Sequence, residues 1–319
     1  MAVKTSDFKP AWWLRSPHLQ TLWPVFFKKR HKLDLFVEQV ELDDGDFIDL
    51  CWSKKSSDKI VLVLHGLEGS IDSHYANGIM YQLEQSGYKP VFMYFRGCSG
   101  RFNRLARAYH SGETGDLSAI VEHIKNKTSF YPYAVIGFSL GANVLLKWLG
   151  ETGNLNPVRK AVAVSVPFIL HDAAKRLEIG VSKIYRDYLL RSLKNTYIKK
   201  FKHIDSPLAV DVNSLKSFWD YDDKVTAPLH GFDGAQDYYD SCSSRPFLKN
   251  IQIPTRIIHS YDDPFMFHTT VPNEDELNDN IDFLTSRHGG HVGFVSGSNP
   301  FVTYSWCELK ITEFLTVKI

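Results

Sequence analysis

The chain has 319 residues, of which 44% are hydrophobic and 23% charged, a composition typical of a globular protein with a sizeable core. Its 37 Lys and Arg nearly balance its 36 Asp and Glu, so a formal charge of +1 gives no bulk attraction to nucleic acid or to an anionic membrane. No signal-peptide pattern or run of eighteen apolar residues occurs, and the four cysteines are scattered. We therefore expect a cytoplasmic protein without a transmembrane segment, acting on a small or uncharged partner.

The first 32 residues form an unusual arm that combines aromatic side chains with prolines at positions 10, 17 and 24. Prolines at this density exclude one long helix. We expect an extended arm that buries its aromatic residues against the domain: Trp12, Trp13, Trp23, Phe26 and Phe27. The alternative is a contact with lipid or with the mouth of a site. The adjoining basic run at 28–32 is expected to be a solvated face.

Strand and helix patterns alternate along the first half of the chain. The β patterns 36–42 and 47–53 flank an Asp-Gly turn and predict a hairpin. Further strands are predicted at 60–64, 90–95, 133–138 and 161–166, and helices at 75–86, 117–127 and 142–149. This alternation predicts an α/β fold with a mostly parallel central sheet and helices on both faces.

The alternation breaks between about residues 168 and 250, where helical stretches and a polar loop replace the expected short helix. We interpret this segment as a helical cap inserted into a single domain of residues 1–319. Its basic part, 186–202, is expected to be a solvated face. Strand patterns resume at 254–259 and 281–286, and an amphipathic helix is predicted at 301–317.

A Gly-x-Ser-x-Gly string at 137–141 joins a predicted strand to a predicted helix. Alone it is weak evidence, because glycine and serine are abundant, but this context is typical of the nucleophile elbow of the α/β-hydrolase fold. Glycines relieve crowding around a strained serine, and the helix amides face charge developing on the substrate oxygen. We predict Ser139 as the nucleophile and the N–H of Leu140 as an oxyanion donor. The alternative is an ordinary strand-to-helix turn.

The loop after the strand 60–64 begins with a His-Gly pair, His65-Gly66. A glycine-bearing loop in this place suits a second oxyanion donor, and the N–H of Leu67 is our candidate. His65 is expected to hold the loop by hydrogen bonds rather than to act as a base, because the strand end fixes it beneath the site.

A serine nucleophile needs an acid and a base, which follow it in this order on later loops of the fold. The strand 255–259 leads to two aspartates, Asp262 and Asp263. We predict Asp263 as the acid, because it stands three residues beyond Ser260, the last small residue of the strand, and precedes a proline. Asp262 is then a supporting hydrogen-bond acceptor.

The strand 281–286 leads to a glycine-rich loop with two histidines, His288 and His291. We predict His291 as the base, because the glycines at 289, 290 and 293 free the loop to bring its ring over Ser139. Both histidines could instead hold a metal with Asp262 or Asp263. A spacing of three suits a helix better than such a loop, and no further ligands cluster here, so we expect neither a metal nor another cofactor.

Longer strings occur along nearly the whole chain: RSPHLQT (15–21), LHGLEGS (64–70), SHY (73–75), FRGCSG (95–100), HSGET (110–114), GFSLGAN (137–143), DKVTAPLHGF (223–232), DDP (262–264) and GGHVGF (289–294). They resemble the YheT-like branch of the α/β-hydrolase superfamily, also called the AB hydrolase 4 family. The resemblance implies a charge-relay system of Ser139, Asp263 and His291, carboxylic ester hydrolysis, and an arm and a 223–232 segment near the site. Eukaryotic relatives act on lipid esters and carry a membrane anchor, which we do not expect in this protein.

These patterns together predict a serine hydrolase that cleaves carboxylic esters through an acyl-enzyme. Aromatic and aliphatic residues in the arm and cap favour an apolar acyl group, so the expected partner is a small-molecule ester, lipid-like esters included. One alternative is acyl transfer on the same triad, which requires a site that excludes water. Another is a non-catalytic binding protein on a hydrolase scaffold.

Overall fold

The computed structural model describes residues 3–317. Its strands are β1 (Lys4–Thr5), β2 (Leu35–Glu41), β3 (Phe47–Ser53), β4 (Ile60–Leu64), β5 (Lys89–Met93), β6 (Ala134–Phe138), β7 (Lys160–Val164), β8 (Thr255–Ser260), β9 (Ile281–Ser286), β10 (Val295–Asn299) and β11 (Val302–Ser305). Its α-helices are α1 (Pro17–Phe27), α2 (His74–Gln85), α3 (Thr114–Thr128), α4 (Leu140–Thr152), α5 (Leu170–Leu177), α6 (Ser182–Lys200), α7 (Phe218–Tyr221), α8 (Ala227–His230), α9 (Ala235–Cys242) and α10 (Trp306–Thr316).

Nine of the strands form one sheet in the order β1-β9-β8-β7-β6-β4-β5-β3-β2. Strands β4 to β9 and β1 pair in parallel, whereas β3 pairs antiparallel with both β2 and β5. The predicted fold class and the predicted β2–β3 hairpin are therefore confirmed. Because the central strands are parallel, their carboxyl ends share one edge of the sheet, and side chains just beyond them can meet there.

The two faces of the sheet are buried by helices on opposite sides, as the apolar run of β4 illustrates. Leu62 and Leu64 pack into a core with α3 and α4, and Val61 and Val63 pack into a second core with α2 and α10. Residues of a strand alternate between faces, so a strand that is apolar throughout can be buried on both. Each such side chain stabilises the fold by about 1.5–3 kcal/mol, which makes the sheet a rigid support for its loops.

The arm is helical rather than extended, which corrects the sequence-based expectation. Residues 17–27 form α1, and Pro17 is compatible with it because it occupies the first turn, where a missing N–H costs nothing. Pro24 lies inside α1, where it has no N–H to donate to the carbonyl of Gln20 one turn earlier. The arm also leaves Trp12, Phe26 and Phe27 exposed instead of buried.

Two further expectations are wrong in part. The closing helix begins at Trp306, capped by the Ser305 side chain, and residues 302–305 belong to the β10–β11 hairpin. The basic segment 186–202 is not wholly solvated, since Lys200 is buried and donates to the Asn103 side chain at 2.9 Å. Among residues 3–317, no helix is long and apolar enough to cross a bilayer.

Candidate active site

Ser139 lies at the sharp turn between β6 and α4, with φ 52° and ψ −118°, in the region that non-glycine residues rarely adopt. Glycine is required on both sides by close approach. A Cβ on Gly137 would collide with the backbone of Gly141 and Ala142, and one on Gly141 with the carbonyl of His65. The strained turn is thus built by the sequence around it, and it holds the Ser139 side chain at the carboxyl edge of the sheet.

The structure brings Ser139, His291 and Asp263 into one hydrogen-bonded series. His291 Nε2 lies 2.9 Å from Ser139 Oγ, and His291 Nδ1 lies 2.8 Å from Asp263 Oδ2. The other carboxylate oxygen, Asp263 Oδ1, accepts the N–H of Phe265 at 2.8 Å. Because Asp263 is buried and accepts on both oxygens, its carboxylate orientation is fixed, and Nδ1 of His291 carries the proton.

Asp262, one residue earlier, points to a different histidine. Its Oδ1 accepts the N–H of Gly290 at 3.0 Å, and its Oδ2 lies 3.3 Å from Nδ1 of the half-exposed His288. Burial raises the pKa of Asp262, and hydrogen bonds from Gly290 and His288 oppose that rise. Asp262 therefore holds the backbone of the loop that carries His291. Within residues 3–317, no group of three or more His, Cys, Asp or Glu side chains has the geometry to hold a metal ion.

The loop after β4 is held by two tyrosine hydroxyls. The N–H of Gly66 donates to Tyr75 and the N–H of Glu68 donates to Tyr109, both at 2.8 Å. Between them, Leu67 lines the same cavity as Ser139 and Leu140. Neither tyrosine was predicted from the sequence, since nothing in a single chain marks which distant hydroxyl reaches a loop amide.

His65 holds this loop from inside the core, where it is completely buried. Its Nε2 accepts the N–H of Phe95 at 3.0 Å, so its Nδ1 carries the proton and donates to the carbonyl of Gly66 at 2.6 Å. A neutral ring satisfies both contacts, whereas a protonated ring would face the Phe95 N–H with a second donor. Burial accordingly lowers the pKa of His65 to about 4.

We expect the stability of the fold to decrease as the pH falls from about 6.5 to about 4. Burial lowers the pKa of His65 and His259 to about 4 and of His74 to about 3, below the value of about 6.5 for an unfolded histidine. The unfolded chain then binds more protons in this window, so stability is complete above it and is lost on acidification. His65 alone contributes on the order of 3 kcal/mol.

The measurement is the free energy of unfolding in urea at several pH values, for the wild type and for His65→Gln. We expect the variant to be less stable at neutral pH. Its free energy of unfolding should fall less steeply on acidification, because the contribution of His65 is missing. Identical slopes would contradict a neutral buried His65.

The arm supports the histidine loop directly. Thr21 Oγ1 on α1 accepts the N–H of His291 at 2.9 Å, and the buried Gln20 donates to and accepts from the backbone of Val295. A Cβ on Gly290 or Gly293 would collide with α1. The loop glycines therefore permit close packing against α1, which differs from the freedom of movement expected from the sequence.

Two further residues that contact the loop of His291 could not be found from sequence patterns. The ring of Phe265 stacks on the imidazole with centroids 4.0 Å apart. Ser165, at the end of β7 with φ 53°, accepts the N–H of Val292 at 3.0 Å. Phe265 thus restricts the ring of His291 and Ser165 the backbone of the next residue, before any substrate binds.

A largely apolar cavity opens beside Ser139, with about 1260 Å³ of empty space including its mouth. Its apolar wall comes mostly from α5, α6, α7 and the loop after β8: Leu170, Leu177, Leu189, Leu193, Phe218 and Phe265. The segment 223–232, which the resemblance placed near the site, also lines it through Thr226 and His230, and so does the preceding Asp222. Burial raises the pKa of Asp222 to about 6, and the Tyr239 hydroxyl donates to it at 2.7 Å.

Two cations, Lys200 and Arg96, also line the cavity, and their donors are used within the protein. Lys200 donates to the Asn103 side chain and to the carbonyls of Ala106 and Arg107. Burial lowers the pKa of Lys200 to about 8. Arg96 is bound by Asp46 and Asp116. All three N–H groups of Lys200 are thus bound by neutral oxygens of the protein, whereas the charge of Arg96 is paired with carboxylates.

Comparisons with known proteins agree with this architecture. A profile of the α/β-hydrolase fold family matches residues 59–298. The Escherichia coli K12 protein named "Putative esterase YheT" is 39% identical over 98% of this chain and 94% of its own length. Human phospholipase ABHD3 is 27% identical over 93% of this chain and 76% of its own. The Pyrococcus furiosus esterase Pf2001 superposes with a TM-score of 0.58 at 17% identity, over 98% of this chain and 97% of that one.

The family profile covers most of the chain, and the identity to the E. coli protein extends from end to end. The mostly parallel sheet and the strand-to-helix turn at Ser139 are those that the sequence predicted for the same fold. The chain therefore belongs to the α/β-hydrolase superfamily, in its YheT-like branch.

Proposed function

We propose that this protein is a serine hydrolase that cleaves carboxylic esters with an apolar acyl group, through an acyl-enzyme on Ser139. The observation that carries the proposal is the hydrogen-bonded series from Ser139 through His291 to Asp263 at the wall of an apolar cavity. Relatives that are named as esterases and a phospholipase support an ester as the substrate.

The first half-reaction transfers the acyl group to the enzyme. Nε2 of His291 takes the proton of Ser139 as Oγ attacks the ester carbonyl, and Asp263 stabilises the imidazolium. The negative oxygen of the tetrahedral intermediate is held by the N–H groups of Leu67 and Leu140. Leu140 is the first residue of α4, where the helix dipole also favours negative charge. His291 then protonates the departing alkoxide, which leaves as the alcohol.

The second half-reaction returns the enzyme to its starting state. His291 removes a proton from water, the hydroxide attacks the acyl carbonyl, and the same two N–H groups hold the oxyanion. Collapse of this intermediate releases the acid and returns the proton to Ser139. The side chains around the cavity accept the acyl chain, because apolar surface leaves water on binding.

Narrowing the cavity should shorten the acyl chain that the enzyme accepts. Ala174 lines the cavity from α5, and a phenyl ring there would occupy space beside Leu177 and Phe218. We expect Ala174→Phe to lower kcat/KM for a p-nitrophenyl palmitate by at least about tenfold while acetate changes by less than about threefold, since pocket methylenes carry the discrimination.

The matched control is Lys175→Phe, which adds the same ring at the next position but on the exposed side of α5. It should leave the chain-length profile unchanged. A parallel shift for acetate and palmitate in Ala174→Phe would contradict an acyl site in this cavity. Product analysis in the presence of an alcohol separates hydrolysis, which releases the free acid, from acyl transfer, which forms a new ester.

A further inference from the structure

The arm helix α1 buries the polar side chains of Gln20 and Thr21 and exposes most of its apolar side chains. Gln20 and Thr21 face the protein, where they bind the backbone of Val295 and His291. The outward stripe has the spacing of one helical face: Leu19, Leu22, Val25 and Phe26. Phe26 is 71% exposed. Apart from Pro24 and part of Trp23, the apolar side chains of α1 thus face away from the rest of residues 3–317.

The apolar exposure continues beyond α1 along connected aromatic contacts. Phe27 packs on both Phe26 and Trp23, with ring centroids 6.4 and 4.3 Å away. Trp23 and Trp13 pack around the same small cluster, and Trp13 contacts the exposed Trp12. Trp12 in turn donates to Ser298 of the β10–β11 hairpin at 3.3 Å. The hairpin then adds Phe301, which is 97% exposed.

Charge is distributed very unevenly along this segment. Residues 8–33 contain six Lys and Arg and no Asp or Glu, although the whole chain has a formal charge of only +1. Lys28 is bound by Glu308, and Arg30 has a surface contact with Asp72 at 3.3 Å. Lys29, Arg30 and Lys32, directly after Phe27, are exposed. The apolar surface is therefore bordered by cations.

We propose that this surface, formed by α1, Trp12 and the β10–β11 hairpin, binds the surface of an anionic lipid bilayer. Tryptophan and phenylalanine beside lysine and arginine are the side chains that insert at a charged membrane interface. An 11-residue helix spans roughly 16 Å, half of a hydrocarbon core, so α1 lies in the interface rather than across it. A symmetric contact with a second copy is disfavoured, because it would bring two such basic segments together.

The helix α1 connects the proposed bilayer-binding surface to the candidate active site. Thr21 on its inner face holds the N–H of His291, and His18 at its start lies 3.0 Å from the hydroxyl of Tyr185 at the start of α6. Docking of the outer face would therefore place the bilayer next to the histidine loop and the cap. This binding does not depend on the proposed ester hydrolysis, so it can be tested without turnover.

The test is co-sedimentation of the full chain, as the Ser139→Ala variant so that no lipid is consumed, with two kinds of vesicle. One is phosphatidylcholine alone and the other contains equal parts of phosphatidylcholine and phosphatidylglycerol. We expect tighter binding to the anionic vesicles. Adding Phe26→Ser and Phe27→Ser should lower the partition coefficient by at least about tenfold. Adding Lys29→Gln, Arg30→Gln and Lys32→Gln should lower it on the order of 100-fold for anionic vesicles.

Matched controls remove exposed apolar or charged side chains that lie away from α1, in segments that precede strands of the sheet. Phe130→Ser with Leu155→Ser removes two exposed apolar side chains that precede β6 and β7, and Lys54→Gln, Lys55→Gln and Lys59→Gln remove three charges before β4. Both should bind within about twofold of the parent. Absence of binding to either vesicle, or equal loss in the controls, would overturn the proposal. So would a dimer in sedimentation equilibrium that dissociates in the Phe26→Ser, Phe27→Ser variant.

Discussion

Replacing Ser139 by alanine should reduce kcat/KM for p-nitrophenyl esters on the order of 10⁴- to 10⁶-fold, since the remaining catalysis would come only from the oxyanion donors and substrate binding. The fold should be unaffected, because the Ser139 backbone keeps its hydrogen bond to Val164 at 2.9 Å and the turn is imposed by close packing of Gly137 and Gly141. A thermal unfolding curve recorded beside the kinetics checks this.

The matched control is Ser165→Ala, which removes a buried hydroxyl from the neighbouring strand end. Its Oγ accepts the N–H of Val292 but does not touch the reacting atoms. We expect Ser165→Ala to lower kcat/KM for the same esters by less than about 100-fold, since only one positioning contact is removed. A fluorophosphonate probe should label the wild type and Ser165→Ala but not Ser139→Ala. Unlabelled wild type would favour a non-catalytic binding protein, whereas equal turnover in Ser139→Ala would exclude Ser139 as the nucleophile.

Asp263→Asn should lower kcat by about 10⁴-fold, whereas Asp262→Asn should lower it by less than about tenfold. In Asp263→Asn the amide oxygen can still accept the N–H of Phe265, which turns the amide NH₂ toward Nδ1 of His291. The imidazole proton is then forced onto Nε2, which faces Ser139. A protonated Nε2 cannot accept the hydroxyl proton of Ser139. The large effect follows from this wrong tautomer.

The adjacent position provides the control for local disturbance. An asparagine at position 262 can still accept the N–H of Gly290 through its carbonyl oxygen, so only the contact with His288 loses its charge. Steady-state kinetics of both variants distinguish the two carboxylates. If Asp262→Asn were the more damaged variant, the acid of the triad would be Asp262 and the hydrogen bond to Asp263 would be structural.

The proposed membrane surface and the proposed chemistry meet at α1. Its inner face contacts the loop of His291 through Thr21, and its outer face carries the exposed apolar stripe. A lipid-like ester would then leave the bilayer close to the mouth of an apolar cavity. The two proposals are nevertheless separable, because vesicle binding is measured on Ser139→Ala and hydrolysis on short esters in solution.

Some expectations failed because local sequence carries no information on distant partners. Proline density suggested an extended arm, but the helix α1 forms because Gln20 and Thr21 find backbone partners some 270 residues away. Lys200 lies in a basic segment, yet it is buried by the carbonyls of a loop near residue 106. The β11 strand exists only because β10 pairs with it. Hydrophobic periodicity cannot report any of these contacts.

The sequence by itself determined the central sheet, the helices on its faces and the turn at Ser139, because apolar periodicity and glycine-flanked turns act over a few residues. It also placed Asp262, Asp263, His288 and His291 on loops after the right strands. Only the tertiary structure decided that Asp262 meets His288 and Asp263 meets His291. The two aspartates are adjacent in the sequence, and the backbone conformation of the loop sets the direction of each side chain. The same holds for α1, whose exposed and buried faces depend on what the rest of the chain presents to it.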